Sequence, residues 1–263
     1  MTVESTISAR ERRRRIAGLL AEEGRVSVAE LAGRFGVTDV SIRRDLGVLE
    51  DEGELRRVHG GAVPAGQRGR NGTFARQARE NQELKERIGA LAATLVRPGD
   101  IVIFDSGSTV AQVATHLASP LQRGSAITAV TNSLPVIREI SGWDGPHLVC
   151  LGGLYLPEHE AVVGPQTIAD MRDLSADLVF IGCDGLTPET GLTTQHVLVA
   201  EVGATMASQA RRVVAVADST KLGRRGFTPI VPLTAVDVLV TDDGAGPDVL
   251  RAIRDAGIDV LLA

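Results

Sequence analysis

The sequence predicts a two-domain protein, with an N-terminal winged helix-turn-helix and a C-terminal α/β domain built on a mostly parallel sheet. Three observations support this fold class. Capped amphipathic helices and a glycine-turned pair of short strands fill residues 8–63. A stretch rich in Pro, Gly and polar residues follows, and apolar runs then alternate with helical segments to the C-terminus. With 263 residues, the chain is long enough for two domains that each bury a core.

Two short helices open the predicted N-terminal domain. Ser8 and Glu11 have capping-box spacing, so the first helix is expected to start there and to end at Gly24. Ser27 and Glu30 repeat that spacing before a second helix of barely two turns. This order of helix, turn and helix is typical of a helix-turn-helix.

A third helix is predicted after Thr38, a residue type that caps helix N-termini. The apolar positions Ile42, Leu46 and Leu49 are spaced by four and three, as on the inward face of a helix. The opposite side is then expected to carry Ser41, Arg44, Asp45 and Val48, with Arg43 at its margin.

A small hairpin is predicted to follow the third helix. Residues 55–58 and 62–63 are short β-prone pieces, and the His-Gly-Gly segment 59–61 between them suits a tight turn. The hairpin would form the wing of a winged helix-turn-helix.

A linker is predicted over residues 64–73, which are dominated by Pro, Gly and polar residues without apolar periodicity. The resulting boundaries are 1–63 for the winged helix-turn-helix, 64–73 for the linker and 74–263 for the second domain.

Seven apolar runs rich in Val and Ile predict the strands of the second domain. Because both alternating faces of each run are apolar, the strands are expected to be buried on both sides in a parallel sheet with crossover helices. The runs are 101–104, 126–130, 147–151, 177–181, 212–217, 236–241 and 258–262.

Charge is divided unequally along the chain. The whole protein has a formal net charge of −5, but residues 1–79 carry 15 Arg against 11 acidic residues. The remaining residues carry 13 Lys or Arg against 22 acidic residues. A basic module joined to an acidic one is typical of a nucleic-acid-binding domain attached to a domain with another task.

Two cysteines, Cys150 and Cys183, lie in apolar runs without metal-ligand spacing, which predicts buried thiols and no metal site. The N-terminus has no export signal, and no stretch approaches 18 consecutive apolar residues. We therefore expect a cytoplasmic protein without a membrane partner and without a cofactor.

The predicted recognition helix and wing supply candidate DNA contacts. A helix fits the major groove, where Arg can form bidentate bonds to guanine or contact phosphate. An alternative interpretation is a solvated face on which the arginines pair locally with Asp45, Glu50 and Asp51. The candidates are Ser27, Thr38, Ser41, Arg43, Arg44, Arg56, Arg57 and His59.

Residues 104–109 (FDSGST) lie where a strand passes into a helix, and their hydroxyls and helix N-terminal amides could bind an anion. Ordinary helix capping explains the hydroxyls about as well. The absence of a GK[ST] ending argues against a nucleotide P-loop. Four further segments, 131–133, 152–153, 182–185 and 218–221, share the carboxyl ends of predicted strands, where ligands bind in such sheets.

Two strings, VSIRRDL at 40–46 and EGELRRVHGGAV at 52–63, closely resemble the signature of the DeoR family of bacterial transcriptional regulators. This sequence departs from the family pattern at one position. The family usually has Arg three residues after the Phe that corresponds to Phe74, whereas this sequence has Gln77 there, and Arg76 precedes it. Further blocks resemble that family's sensor domain in order: Phe74, Asn81 and Lys85, then IVIFDSGSTV at 101–110, VTNS at 130–133, LGGLY at 151–155, IGCDG at 181–185, ETGLTT at 189–194 and ADSTKLG at 217–223.

The resemblance implies that the second domain is similar to ribose-5-phosphate isomerases and coenzyme A transferases and senses phosphorylated sugars or related metabolites. The isomerase-like site is incomplete, because GCDG is followed by GLTT and lacks the lysine and glycine run of those enzymes. Carried over residue by residue, the resemblance predicts an effector pocket of Asp105, Ser106, Gly107, Ser108, Thr109, Thr131, Asn132, Ser133, Gly153, Asp184 and Lys221.

Two functions are compatible with these observations. The first is a transcriptional repressor that binds a double-stranded operator as a dimer or tetramer and is relieved by a phosphorylated sugar. The second is a sugar-phosphate isomerase or coenzyme A transferase with an accessory DNA-binding domain. The enzyme would need a general base, for which Glu201, predicted to open a helix at 200–209, and Asp184 are the candidates. Lys221, one of two lysines in the chain, could also simply pair with Asp218.

Overall fold

The computed structural model describes residues 7–51, 55–58, 60–64, 73–117, 119–124 and 126–263. The chain divides into two compact units, residues 1–72 and 73–263. Most of the predicted linker and the turn residue His59 lie outside the described residues.

The N-terminal unit consists of three helices and a small antiparallel sheet with the strand order β1-β3-β2. Its elements are α1 (Ala9–Glu23), β1 (Val26–Ser27), α2 (Val28–Phe35), α3 (Asp39–Asp51), β2 (Leu55–Val58) and β3 (Gly61–Pro64).

The predicted helix boundaries in this unit are confirmed by their hydrogen bonds. The hydroxyl of Ser8 accepts a bond from the backbone N–H of Glu11, and α1 ends at Gly24 in a left-handed conformation. The capping box is complete at α2, because Ser27 accepts from the amide of Glu30 while the Glu30 carboxylate accepts from the amide of Ser27. Local sequence therefore fixes where these helices begin.

The wing contains one strand that the sequence pattern does not reveal. Val26 and Ser27 pair with Ala62 and Gly61, so β3 lies in the middle of three strands. A Cβ atom at Gly61 would lie 2.1 Å from the carbonyl oxygen of Val26. Only glycine allows this close approach, which ties the wing to the segment between α1 and α2.

The C-terminal unit alternates strands and helices. No helix in the described ranges is both long and apolar enough to cross a membrane. Its helices are α4 (Thr73–Arg79), α5 (Gln82–Ala93), α6 (Ser108–Thr115), α7 (Leu134–Ile140), α8 (Pro165–Met171), α9 (Val197–Ser208) and α10 (Pro247–Asp255). Its strands are β4 (Ile101–Phe104), β5 (Thr128–Thr131), β6 (His147–Cys150), β7 (Leu154–Leu156), β8 (Ala161–Val163), β9 (Ala176–Ile181), β10 (Gly185–Thr187), β11 (Gly191–Thr194), β12 (Ala210–Val216), β13 (Thr228–Val231), β14 (Val238–Thr241) and β15 (Asp259–Leu262).

A seven-stranded sheet in the order β15-β14-β12-β9-β4-β5-β6 forms the centre of this unit, and every neighbouring pair is parallel. The predicted parallel sheet is therefore confirmed. Alternate side chains pack into two different cores: Ile103 and Val179 on one face, Phe104 and Phe180 on the other. Burial on both faces explains the continuous apolar runs.

Two smaller β elements were not predicted: the hairpin of β7 and β8, and the antiparallel sheet of β10, β11 and β13. The prediction of a buried thiol is wrong for Cys150, which is exposed. Its strand β6 is the edge of the sheet, so this strand is covered less completely than the central strands.

The strand order of the large sheet reverses between β4 and β9. The chain runs from β4 outward through β5 to β6, and later from β9 outward through β12 and β14 to β15. At such a switch point the connections leave in opposite directions and open a crevice at the carboxyl ends of the strands. The fold therefore places a binding crevice where β4 and β9 end.

Candidate nucleic-acid interface and effector pocket

The start of α3 is fixed by side-chain bonds, as predicted for Thr38. Its hydroxyl accepts from the backbone N–H of Ser41 at 3.3 Å, and the two hydroxyls lie 3.1 Å apart. Gly36, at φ 63°, ends α2 just before this cap. The two helices are thus joined by the short turn that a helix-turn-helix requires.

Asp45 does not lie on the exposed face of α3, contrary to the prediction from helical spacing. Its carboxylate is 4% exposed and accepts a bond of 2.6 Å from Nε of Arg12, a residue of α1 that is 8% exposed. A pattern of apolar spacing assigns a charged residue to the solvent side. It could not show that Arg12 supplies the opposite charge from another helix.

Arg43 and Arg44 are exposed, and they form no ion pair within the part of the chain that the structure describes. Two of the acidic residues that could have paired with them are engaged elsewhere. Asp45 is bound by Arg12, and the carboxylate of Glu50 accepts from the backbone N–H of Arg57 at 2.8 Å. The two guanidinium groups are therefore available to an external anion or base.

The wing places Arg57 beside α3. Its Nη1 atom lies 3.9 Å from the position that a Cβ on Gly47 would occupy. The hydroxyl of Ser27, another predicted DNA contact, caps α2. The side chain of Arg56, as well as His59, lies outside the described residues.

A cavity of about 60 Å³ lies in the C-terminal unit at the switch point of the sheet. Seven of the eleven predicted effector residues line it, among them the whole segment 105–109. The complete lining is Gln77, Lys85, Asp105, Ser106, Gly107, Ser108, Thr109, His159, Gly182, Cys183, Asp184, Thr194, Val199, Lys221 and Ile230.

The N-terminus of α6 opens into this cavity. Gly107 precedes the helix at φ 127° and ψ 151°, a conformation that favours glycine, and no side chain caps the first turn. The amides of that turn have no partner within the helix, and the hydroxyls of Ser106, Ser108 and Thr109 lie beside them. Such a helix N-terminus attracts anions.

Lys221 adds a positive charge to the cavity. The proposed pairing with Asp218 does not occur, because the Asp218 carboxylate accepts instead from Asn81 and from Thr220. Within the described residues Lys221 forms no ion pair. Its ammonium is therefore available to a ligand.

Lys85 is a lining residue that was not among the predicted effector contacts, although it belongs to a block that resembles the family's sensor domain. The side chain is 4% exposed, and its ammonium donates to the backbone carbonyls of Gln77 and Glu80 at the end of α4. Burial lowers the pKa of Lys85, the neighbouring Lys221 lowers it further, and Asp218 opposes the shift. Spacing along α5 gave no signal for this role, since position 85 is simply on the inner side of the helix.

Asp105 is the most deeply buried acid of the cavity, with 2% exposure. Burial raises the pKa of this carboxyl from 3.8 to about 7, and hydrogen bonds from Ser106 oppose the shift. The carboxyl of Asp184 is differently placed, because one of its oxygens accepts from the hydroxyl of Thr194 at 2.9 Å and from the amide of Gln195 at 3.0 Å. Asp105 can therefore either donate to or accept from a ligand near neutral pH.

His159 reaches the cavity from the turn between β7 and β8, and it too was missed. Its ring meets that of His196 edge to face, with centroids 5.6 Å apart. Burial lowers the pKa of His159, His196 adds to the effect, and Asp184 opposes it. A neutral imidazole at this position can hydrogen-bond a hydroxyl group.

The structure does not bring Thr131, Asn132 and Ser133 into the cavity. The hydroxyl of Thr131 donates to the carbonyl of Phe104 at 2.7 Å and accepts from the amide of Ser133 at 3.0 Å. The amide of Asn132 donates to the carbonyl of Val162 at 2.9 Å. These groups lie at the end of β5 or directly after it, on the far side of the switch point from β9, and their hydrogen bonds hold the end of β5 in place.

Two further candidates also lie outside the lining. Gly153 allows a close approach, because a Cβ there would come within 2.4 Å of the hydroxyl oxygen of Thr167. Glu201 does not open a helix: α9 begins at Val197, and the Glu201 side chain is exposed in its second turn. Of the two carboxylates nominated as a general base, Glu201 is thus outside the cavity lining, whereas Asp184 is part of it.

Metal binding finds no support in the parts of the chain that the structure describes, where no group of three or more His, Cys, Asp or Glu could hold an ion. Cys183 lines the cavity, but burial raises the pKa of its thiol to about 12, with Asp184 acting in the same direction. The thiol is therefore neutral at physiological pH and a weak metal ligand or nucleophile.

The fold and the two sites define a class of protein: a DNA-binding regulator that joins a winged helix-turn-helix to a domain that binds a small molecule. Comparison with protein families identifies residues 12–68 as a DeoR-like helix-turn-helix domain and residues 80–243 as a DeoR C-terminal sensor domain. The chain belongs to the DeoR family of transcriptional regulators.

Individual relatives agree with this assignment. The HTH-type transcriptional regulator GlpR of Haloferax volcanii is 36% identical, covering 95% of this chain and 96% of its own. The HTH-type transcriptional repressor GlcR of Bacillus subtilis is 31% identical, covering 93% of this chain and 96% of its own.

Among solved structures, ribose 5-phosphate isomerase A of Methanocaldococcus jannaschii is 19% identical over 54% of this chain and 55% of its own, with a TM-score of 0.39, too low to support an argument. The protein is a regulator, and the enzyme alternative is set aside.

Proposed function

We propose that this protein represses an operon of sugar metabolism and that a phosphorylated sugar, bound in the cavity of the C-terminal unit, relieves repression. The effector class is inferred from one observation: the uncapped α6 N-terminus and Lys221, which forms no ion pair with any described residue, line the same cavity. The repressor activity is supported by relatives such as GlcR, whose name describes a repressor.

The phosphate of the effector is proposed to bind at the start of α6. Backbone amides and three hydroxyls supply hydrogen bonds there, and Lys221 supplies a full positive charge. The enclosed part of the cavity, of about 60 Å³, is proposed to take a compact group such as a phosphate, and the remainder of the effector extends toward the mouth.

The hydroxyl groups of the effector are proposed to bind to Asp105 and His159. Near neutral pH the buried carboxyl can donate or accept, and the imidazole can do the same through its two nitrogens. A polyhydroxylated ligand satisfies such groups without requiring a net charge at that end. This arrangement favours a sugar phosphate over an inorganic anion.

Relief of repression requires that the effector bind one arrangement of the protein more tightly than another. Lys85 is suited to transmit the difference, because it lines the cavity and also donates to the carbonyls of Gln77 and Glu80 at the end of α4. A ligand that draws the ammonium away leaves the end of α4 with fewer partners. Since α4 follows directly on residues 65–72, we propose that this change is passed along the chain toward the DNA-binding unit.

On the DNA, α3 is proposed to lie in the major groove, with Arg43 and Arg44 bonding to guanine or phosphate and Arg57 contacting the backbone from the wing. Operators of two-fold symmetry require two recognition helices, so we propose that the chain acts as a homo-oligomer joined through its C-terminal unit. A monomer that binds its operator tightly, seen by light scattering at working concentration, would contradict the oligomer.

The effector class can be tested by thermal shift, because a ligand that binds the native state raises its apparent stability. The full chain is screened with phosphorylated sugars, each paired with its unphosphorylated counterpart. We expect a rise in Tm only with a phosphorylated member, lost in Lys221→Met and kept in the control Arg211→Met, a surface residue paired with Asp177. Equal shifts from unphosphorylated sugars, or a full shift in Lys221→Met, would contradict the proposal.

The DNA contact can be tested separately on a duplex selected from a random library with the full chain. Arg44→Ala should weaken specific binding by about 1–3 kcal/mol and relax the preference at one base pair. If affinity falls equally for every sequence, Arg44 is a phosphate contact and its proposed contact with guanine is wrong.

A further inference from the structure

One exposed side chain of the recognition helix is apolar. Val40, in the first turn of α3, is 76% exposed. The buried residues of α3, which are Ile42, Asp45, Leu46 and Leu49, share one side of the helix. At about 100° per residue Val40 lies on the opposite side, in line with Arg44 one turn later.

Among the described residues of the N-terminal unit, none accounts for valine at this position. The residue that could staple the start of α3 to the core is Val37, which is half-buried and packs against the apolar cluster of this unit. A β-branched side chain also favours a helix less than alanine does. The side chain of Val40 therefore adds no evident stability to the folded unit.

The surroundings of Val40 match the base edges of DNA. Arg43 and Arg44 are exposed and unpaired within the described residues, so they draw this face toward a polyanion. Asp39, also exposed, precedes Val40 and repels phosphate groups from the first turn. The N-terminal residues of a recognition helix contact base edges, and the 5-methyl group of thymine is the apolar group displayed in the major groove.

We propose that Val40 is a specificity-determining residue that packs against the methyl group of a thymine in each half of the operator. The proposal rests on the proposed placement of α3 in the major groove. It assigns one base of the recognition sequence to one side chain, next to the base pair contacted by Arg44.

The test uses the full chain and the duplex that it selects from a random library. Each thymine is replaced in turn by deoxyuridine, which removes only the 5-methyl group and keeps Watson–Crick pairing. For the wild type, affinity measured by fluorescence anisotropy should fall about threefold to tenfold at one thymine per half-site. In Val40→Ala, affinity for the thymine duplex should fall to the level of the deoxyuridine duplex, and the difference between the two should disappear.

The control variant is Val197→Ala, which makes the same change at an exposed position of α9 in the C-terminal unit. It should keep the wild-type difference between thymine and deoxyuridine. Helicity by circular dichroism should not fall in Val40→Ala, since alanine favours helix.

Three results would overturn the proposal: no thymine whose methyl group affects binding, a thymine preference that persists in Val40→Ala, or an equal loss on both duplexes in that variant. A wild type without any sequence-specific duplex binding would instead contradict the proposed placement of α3 itself.

Discussion

The buried ion pair of Arg12 and Asp45 makes a quantitative prediction about the N-terminal unit. Replacing Asp45 by Ala leaves the guanidinium of Arg12 buried without its counter-charge, which costs about 3–5 kcal/mol. Domains have total stabilities of about 5–15 kcal/mol, and one of some 70 residues lies toward the lower end. The single variant should therefore unfold much of this unit at 37 °C.

The double variant Arg12→Met with Asp45→Leu should behave differently. Removing both charges also removes the cost of taking them out of water, and apolar side chains of similar volume can fill the space. The neighbouring side chains Ile16, Ile42 and Leu46 are fully buried and give the new side chains an apolar environment. We expect the double variant to be within about 1.5 kcal/mol of the wild type.

Native-state hydrogen exchange resolves the two units. Amides of α1 and α3 report opening of the N-terminal unit. The only tryptophan, Trp143, lies in the C-terminal unit, so its fluorescence on urea unfolding serves as an internal control that should not change. A double variant as unstable as Asp45→Ala would refute the explanation by an uncompensated charge, and so would an Asp45→Ala protein with wild-type protection of α1 and α3.

Three other changes have defined outcomes. Burial raises the pKa of Asp105 from 3.8 to about 7, so the wild type loses stability as pH rises through that window. Asp105→Asn cannot ionise, so its Tm should rise relative to that of the wild type from pH 4 to pH 8. A Tm difference that does not change with pH would contradict this. In Gly107→Ala the added Cβ meets no atom within 4 Å, but the backbone is strained at φ 127°. The free energy of unfolding in urea should therefore fall by about 1–3 kcal/mol, and effector binding in the thermal-shift screen should weaken. Unchanged values would contradict the assigned conformation. Gly61→Ala places a Cβ against the backbone of Val26 and should abolish operator binding through loss of the β1–β3 pairing. Tryptophan fluorescence should show that the stability of the C-terminal unit is unchanged. A variant that binds operator normally would contradict the role of Gly61 in this pairing.

The large sheet could be predicted because its strands are buried on both faces, and this leaves continuous runs of apolar β-branched residues. The smaller elements could not be predicted in the same way. Strands 185–187 and 191–194 are short, contain Gly and Thr, and pair with each other, and the second of them pairs with strand 228–231, far away in sequence. Pairing over such a distance leaves no periodic signal.

The residues of the candidate sites also differ in whether local sequence could predict them. Segment 105–109, Asp184 and Lys221 could be nominated because they follow strands whose carboxyl ends share one edge of the sheet. Lys85 and His159 reach the cavity from a helix and a hairpin turn, and only the packing of those elements reveals them. The pairing of Asp45 with Arg12 is hidden for the same reason.

Effector binding and operator binding are proposed to oppose each other in one molecule. The most direct measurement is the affinity of the phosphorylated sugar found by thermal shift, determined by calorimetry for the full chain with and without saturating operator duplex. Because coupling between two sites is reciprocal, we expect operator to weaken effector binding by the same factor, about 5- to 150-fold, by which effector weakens operator binding. Effector affinity that is identical in the presence and absence of operator would contradict the proposed coupling.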